Sequence, residues 1–307
     1  MNNKSDWVLI GLLSLCTAFF LGGCSDMLLF NPKGPIGDSE RFVIIVAIAL
    51  MLIVVIPVSI MVFLFPGKYR STNPKATYMP KWSRSAKIEW VIWLVPAVII
   101  TVLATLIWHF TFHLDPYKPI DTGVKPINIE VVSMDWKWLF IYPDRHIAAV
   151  NQLVFPASVP LSFKITSDTV MTSFFIPQLG SQIYAMAGMQ TRLHLLADEP
   201  GTYIGQNQQF SGRGYADMTF KAIAVSPKEY EVWVQKVKQS PDTLDLARYE
   251  ELEKPSTGYP VSLFSSVEPD LFDRIIQKYA KTVKINPGVI NKESDTTHFK
   301  SDVLEGS

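Results

Sequence analysis

The chain is poor in the side chains that perform chemistry. Its two cysteines, Cys16 and Cys24, both fall in the first segment, so no disulfide or thiolate site is available later in the chain. The five histidines are scattered: His109 and His113 at the end of an apolar run, His146 in a loop, His194 between Leu193 and Leu195, and His298 in a polar tail. His194 therefore faces away from the side that its two neighbours share. The acids and bases form no paired-carboxylate, Ser/His/Asp or phosphate-loop arrangement. Gly212-Arg213-Gly214 comes nearest to a glycine-rich loop, but it lacks a third glycine and a following helix. One acid stands out by position: Glu89, beside Trp90 at the start of an apolar run. There a carboxylate partly withdrawn from water could take up protons, or it could be a solvated helix-end acid at the headgroup level. Position alone favours the solvated acid.

The elements that must position these residues begin with membrane segments. The hydrophobic fraction is 48% over 307 residues, and the mean hydropathy of +0.18 is high for a soluble protein. The 28 basic and 28 acidic residues cancel, so no global field recruits nucleic acid. Residues 1–23 read as a signal peptide, with Lys4, the run WVLIGLLSLCTAFF and then LGGC. Small residues before Cys24 resemble a bacterial lipobox, which would leave that cysteine as a lipidated N-terminus; the alternative is a chance cysteine after an uncleaved anchor. Two further apolar stretches, about 42–65 and 90–112, are each long enough to span a hydrocarbon core of about 30 Å. Pro57 and Pro96 inside them ask for packing against a membrane neighbour. The connector carries Lys68, Arg70, Lys75, Lys81, Arg84 and Lys87 against a single acid, which makes it cytoplasmic. Both ends of the mature chain then face the periplasm.

From about 126 to 225 the pattern changes to short alternating runs, such as Ile127, Ile129 and Val131, then Leu161, Phe163 and Ile165. Period two with Pro and Gly between runs predicts an antiparallel β-sandwich. After Val225 the spacing turns helical, with Ser226-Pro227 as a start and Tyr230, Trp233, Val234 and Val237 on one face. A second amphipathic segment opens at Pro269 and places Phe272, Ile275, Ile276 and Tyr279 together. Residues 226–285 are thus expected as an aromatic-rich helical extension and 286–307 as a disordered tail. The fold class is membrane-anchored α+β: a helical hairpin over 24–125, a sandwich, and C-terminal amphipathic helices.

Three motifs taken together resemble subunit II of the haem-copper terminal oxidases: MDWKWLFIYP at 134–143, VMTSFFIPQLG at 170–180 and PGTYIGQNQQFSGRGYADM at 200–218. The resemblance implies a cupredoxin-like sandwich. In the copper-bearing branch of that family a binuclear copper centre is held by two bridging thiolates, two imidazoles, a thioether and a backbone carbonyl, donors suited to copper. On this sequence those positions hold Asn207 and Ser211 for the thiolates, Thr172 and Tyr215 for the imidazoles, Met218 for the thioether and Gln209 for the carbonyl. Only Met218 survives as a side-chain ligand type, and the plainer reading makes it ordinary core.

A subunit II of this kind is similar to the quinol-oxidising branch, the bacterial cytochrome bo-type ubiquinol oxidases. The resemblance implies a non-catalytic, copper-free subunit of a proton-pumping complex in the bacterial inner membrane. Ubiquinol would be oxidised and oxygen reduced at haems and copper of subunit I, with no cytochrome c as donor. It also puts Glu89 beside the entrance of a proton pathway, and gives Trp136 and Trp138 to packing against the membrane subunit. The alternative is a stand-alone, lipid-anchored periplasmic binding module with an emptied fold.

Overall fold

The computed structural model describes residues 27–280 except 76, 78 and 80, so the signal peptide, Cys24 and the tail 286–307 lie outside the described residues. Two long helices come first, α1 (Pro35–Lys68) and α2 (Ala86–His113). Each starts before the apolar run that announces it. Pro35 takes the first helical position, where its missing N–H costs nothing, and Ala86-Lys87-Ile88-Glu89 adds a polar first turn to α2. At 1.5 Å per residue they are about 51 and about 42 Å long, more than a hydrocarbon core requires. Most of their apolar side chains are exposed, with Trp93 at 77%, Ile107 at 65% and Val62 at 60%. Faces that apolar are stable only against lipid or another membrane protein.

The sandwich follows. One sheet has the order β11-β3-β2-β1-β5-β8, made by β1 (Ile127–Met134), β2 (Lys137–Tyr142), β3 (Ile147–Val150), β5 (Leu161–Ser167), β8 (Thr191–Leu195) and β11 (Ser262–Phe264). The other has the order β4-β10-β9-β6-β7, made by β4 (Gln152–Pro156), β6 (Thr172–Phe175), β7 (Gln182–Ala185), β9 (Gly201–Asn207) and β10 (Thr219–Val225). Most neighbours are antiparallel, as the alternation predicts, but β1 runs parallel to β5 and β4 parallel to β10. A period of two reports which face is buried and carries no information on a neighbour's direction. Between the sheets lies an aromatic cluster in which Phe174 stacks on Phe220 at 5.2 Å and Trp138 meets both edge-on.

The extension after the sandwich holds three helices where the sequence suggests two: α3 (Pro227–Lys238), α4 (Leu246–Glu253) and α5 (Leu271–Ala280). α3 is set by a capping box between Ser226 and Glu229 and buries Tyr230, Val234 and Val237 in the main core. α4 escapes a periodicity search because it is short and buries only Tyr249 and Leu252. With α5 it covers the outer face of the first sheet, where Leu271, Phe272 and Ile275 pack on Val132, Leu139, Ile141 and Val150. All six residues of β2 are buried as a result.

The hairpin docks on the sandwich through the turn Pro177-Gln178-Leu179-Gly180. The Lys33 N–H donates to the Gln178 carbonyl at 2.7 Å, the Asp198 N–H to the Lys33 carbonyl at 2.9 Å, and the Ser181 N–H to the Glu40 carboxylate at 2.8 Å. Gly180 has φ +95°, and a Cβ there would lie 2.8 Å from the Gly37 nitrogen. Gly180→Ala is therefore expected to destabilise the dock by about 1–3 kcal/mol, through backbone strain and collision together. A lower unfolding midpoint with faster proteolysis at 31–35 is the expected outcome, and an unchanged midpoint would show that the dock tolerates a side chain.

Candidate functional site

The positions to which the family resemblance assigns copper ligands lie at strand ends and in one loop. Thr172 opens β6, Asn207 closes β9, and Ser211, Tyr215 and Met218 lie in the loop that leads into β10. Their side chains, however, are already engaged: Asn207, Ser211 and Met218 with one another, Thr172 and Tyr215 with other neighbours. The Asn207 Oδ1 accepts from the backbone N–H groups of Ser173 and Gln209, each at 2.9 Å. Its Nδ2 donates to the Gln209 carbonyl at 2.7 Å and the Ser211 Oγ at 3.1 Å, and lies 3.4 Å from the Met218 sulfur. The Gln209 carbonyl, the position the family resemblance assigns to the metal, thus accepts from an amide. Thr172 donates to the Ser133 Oγ at 2.6 Å. Met218 is buried, and Tyr215 turns toward Phe210 at 5.8 Å between rings.

Neutral amide, hydroxyl and thioether groups do not fit a binuclear copper centre, which needs bridging thiolates and imidazoles. Among the described residues no three or more His, Cys, Asp or Glu side chains are grouped to hold a metal ion. The histidines go elsewhere: His109 and His113 stack at 5.8 Å in the last turn of α2, and His146 takes a left-handed backbone with φ 56°. His194 is tied by Nδ1 to the Pro116 carbonyl at 3.1 Å and by Nε2 to Ser162 at 3.4 Å, outside the core.

The two tryptophans separate. Trp138 is fully buried between the sheets, so its expected role at an interface with the membrane subunit is corrected: it is core. Trp136 sits in the β1–β2 turn with φ 64° and covers the 207–218 loop, its Nε1–H donating to the Ser211 carbonyl at 2.9 Å. A Cβ at Gly214 would fall 2.3 Å from the Trp136 ring, so the glycine leaves room for the indole. Between them Lys137 points to the outer face, also buried, and donates to the Lys254 carbonyl at 2.8 Å and the Ser256 Oγ at 2.5 Å, with its ammonium over the Tyr259 ring. Burial pushes its pKa below the usual lysine range.

A second polar knot fixes the extension. The Asp168 carboxylate accepts from the Tyr249 hydroxyl at 2.5 Å and pairs with Lys278 at 3.0 Å, while the Tyr279 hydroxyl donates to the Asp168 carbonyl at 2.5 Å. Burial raises the Asp168 pKa despite these partners. The Asp168 N–H donates to the Ser133 carbonyl at 2.8 Å, and Ser133 is also the partner of Thr172. No sequence signal marks Lys137 or Asp168, since a buried lysine or aspartate reads like any surface one. Glu89 lies in the first turn of α2, half-exposed, with Arg84 at 3.3 Å.

Asn207→Ala should strand the N–H groups of Ser173 and Gln209. A loss of about 2–5 kcal/mol in unfolding free energy follows from two orphaned donors, one buried and one half-buried, with faster hydrogen exchange across 208–218. Exchange at the wild-type rate would show that the loop does not depend on the amide.

Relatives among known proteins carry the same layout. A family model described as cytochrome c oxidase subunit II, periplasmic domain, matches residues 106–225, and one described as the COX aromatic rich motif matches residues 238–282. The chain is 53% identical over 279 residues to cytochrome bo(3) ubiquinol oxidase subunit 2 of Pseudomonas aeruginosa, covering 91% of this chain and 84% of that one. It is 50% identical over 281 residues to ubiquinol oxidase subunit 2 of Acetobacter aceti, covering 91% of each. It is 45% identical over 273 residues to cytochrome bo(3) ubiquinol oxidase subunit 2 of Buchnera aphidicola, covering 88% and 94%. With identity of this extent over nearly the whole length of both chains, the protein belongs to the subunit 2 family of the bacterial ubiquinol oxidases.

Proposed function

We propose that the chain works as the copper-free subunit II of a proton-pumping complex that oxidises ubiquinol and reduces oxygen to water. The observation that carries this reading is the Asn207 knot, which fills the position of an electron relay with neutral hydrogen bonds. Electrons then enter subunit I from quinol directly, and haem, copper and quinone chemistry all reside there. The exposed apolar faces of α1 and α2 are the surfaces offered to that partner and to lipid. Trp136 is partly exposed and is the one of the two tryptophans left to meet a neighbour. An acyl group on Cys24 would hold the N-terminus at the periplasmic surface of the inner membrane.

The proposed role of Glu89 is proton entry. It stands at the cytoplasmic end of α2, where a proton destined for the partner must leave water, and Arg84 holds its carboxylate there.

Two measurements test this reading. The complex purified in mild detergent should show haem absorption and ubiquinol-driven oxygen uptake, with no copper assigned to this chain; stoichiometric copper in its sandwich would overturn the copper-free assignment. Glu89→Gln should slow quinol oxidase turnover by about tenfold, equivalent to about 1.4 kcal/mol of barrier, with the haem spectrum unchanged. Turnover and pumping at wild-type levels would remove Glu89 from the proton route.

A further inference from the structure

The connector between the spans is confined. It joins Lys68 at the end of α1 to Ala86 at the start of α2, and Phe42 of α1 lies 6.1 Å from Phe110 of α2 at the opposite ends, so the helices form an antiparallel hairpin. With the sandwich periplasmic, the connector lies at the cytoplasmic surface and is held to the bilayer at both ends. It is folded back onto α1, because the Asn73 amide donates to the Lys68 carbonyl at 2.6 Å and accepts from the Lys75 N–H at 3.1 Å. Asn73 thereby bridges the backbones of Lys68 and Lys75.

Six cations and one carboxylate occupy this surface: Lys68, Arg70, Lys75, Lys81, Arg84 and Lys87 against Glu89. Among the described residues only Arg84 has an acidic partner; the other five are exposed and paired with none. Tyr69 and Trp82 are 59% exposed and Trp90 is 72% exposed at the same level, where amphipathic rings favour the headgroup region. The Ser85 side chain does not cap α2, so the first-turn N–H groups add to the positive surface. An orientation signal requires only an excess of positive charge, but it does not require aromatic side chains ringed among unpaired cations.

From this we infer that the connector and the adjoining helix ends form a binding surface for anionic phospholipid headgroups of the cytoplasmic leaflet. The ligand chemistry is a phosphodiester at the bilayer surface, met by ammonium and guanidinium groups while the rings sit among the glycerol backbones. The inference rests on the two spans and the periplasmic sandwich and is independent of the role proposed for Glu89.

The test uses the whole oxidase complex in nanodiscs of phosphatidylcholine, with and without phosphatidylglycerol, and native mass spectrometry to count retained anionic lipid. Replacing Lys75, Lys81 and Lys87 by Gln should weaken retention by about fivefold for each cation removed, while Lys→Arg at the same positions should preserve it. Lys68, Arg70 and Arg84 stay in place to keep the orientation signal. Inorganic phosphate at millimolar concentration should not displace the lipid; displacement would mean a free-phosphate site and would overturn the headgroup assignment. Equal retention by the Gln variant would overturn the inference, including the case in which that variant loses a neighbouring subunit and the cations serve a protein contact. If the Gln variant does not assemble, the wild-type complex decides: retention that falls with ionic strength supports the surface, and salt-insensitive retention overturns it.

Discussion

A strand with no side turned to water must find a partner for every side chain, and β2 is such a strand. Trp138, Phe140 and Tyr142 point between the sheets, and Lys137, Leu139 and Ile141 point the other way. The outward set is covered only because α4, α5 and β11 return to it, so the C-terminal extension is a third layer of the domain. Each large apolar side chain that it buries contributes about 1.5–3 kcal/mol, an upper estimate because the unfolded chain already hides some of that area. Lys137 works against this sum, since an ammonium in an apolar layer is costly. Its contacts with Lys254, Ser256 and Tyr259 offset the cost and also select where the segment 254–259 must cross. Asn151 adds to the selection by donating to the Tyr259 carbonyl at 2.8 Å.

The Asn207 knot shows how hydrogen bonds alone can hold the 207–218 loop in shape. A bound ion ties together segments that are distant in sequence, and its loss leaves polar groups without partners. A primary amide has one acceptor and two donor hydrogens, enough to bind the start of β6, the bend at Gln209 and the loop at Ser211 at once. The loop keeps its shape with groups that exchange neither electrons nor protons near neutral pH. Trp136 closes it from outside, and its neighbour Lys137 fastens the extension, so adjacent residues of the β1–β2 hairpin hold the loop and the third layer.

Much of this was readable in the sequence, and the rest was not for definite reasons. Long apolar runs announce the spans, and their ends shift only because polar first turns such as Ala86–Glu89 have no apolar signature. Alternation locates the sandwich, and Thr172, Asn207, Ser211 and Met218, singled out by the family resemblance, fall at strand ends and in the loop before β10. Trp138 was misplaced because a run of aromatic residues does not show which of them turn inward between the sheets. The helix α4 and the strand β11 are too short to show a period, and the parallel pairs depend on the path between sheets. The links from Asp168 to Tyr249 and Lys278 join residues 81 and 110 positions apart, and nothing local encodes them.

The dock at Gly180 has a mechanical meaning. Backbone meets backbone there, with the Gly37 nitrogen against Gly180 and a Cβ at Gly34 falling 2.2 Å from the Leu196 carbonyl oxygen, and the Ile36 side chain and the Glu40 carboxylate lie beside it. A contact this close, held by several hydrogen bonds at once, transmits torque as well as force. Rolling or tilting of α1 within the bilayer is then also a rotation of the sandwich, and the hairpin serves as its axle.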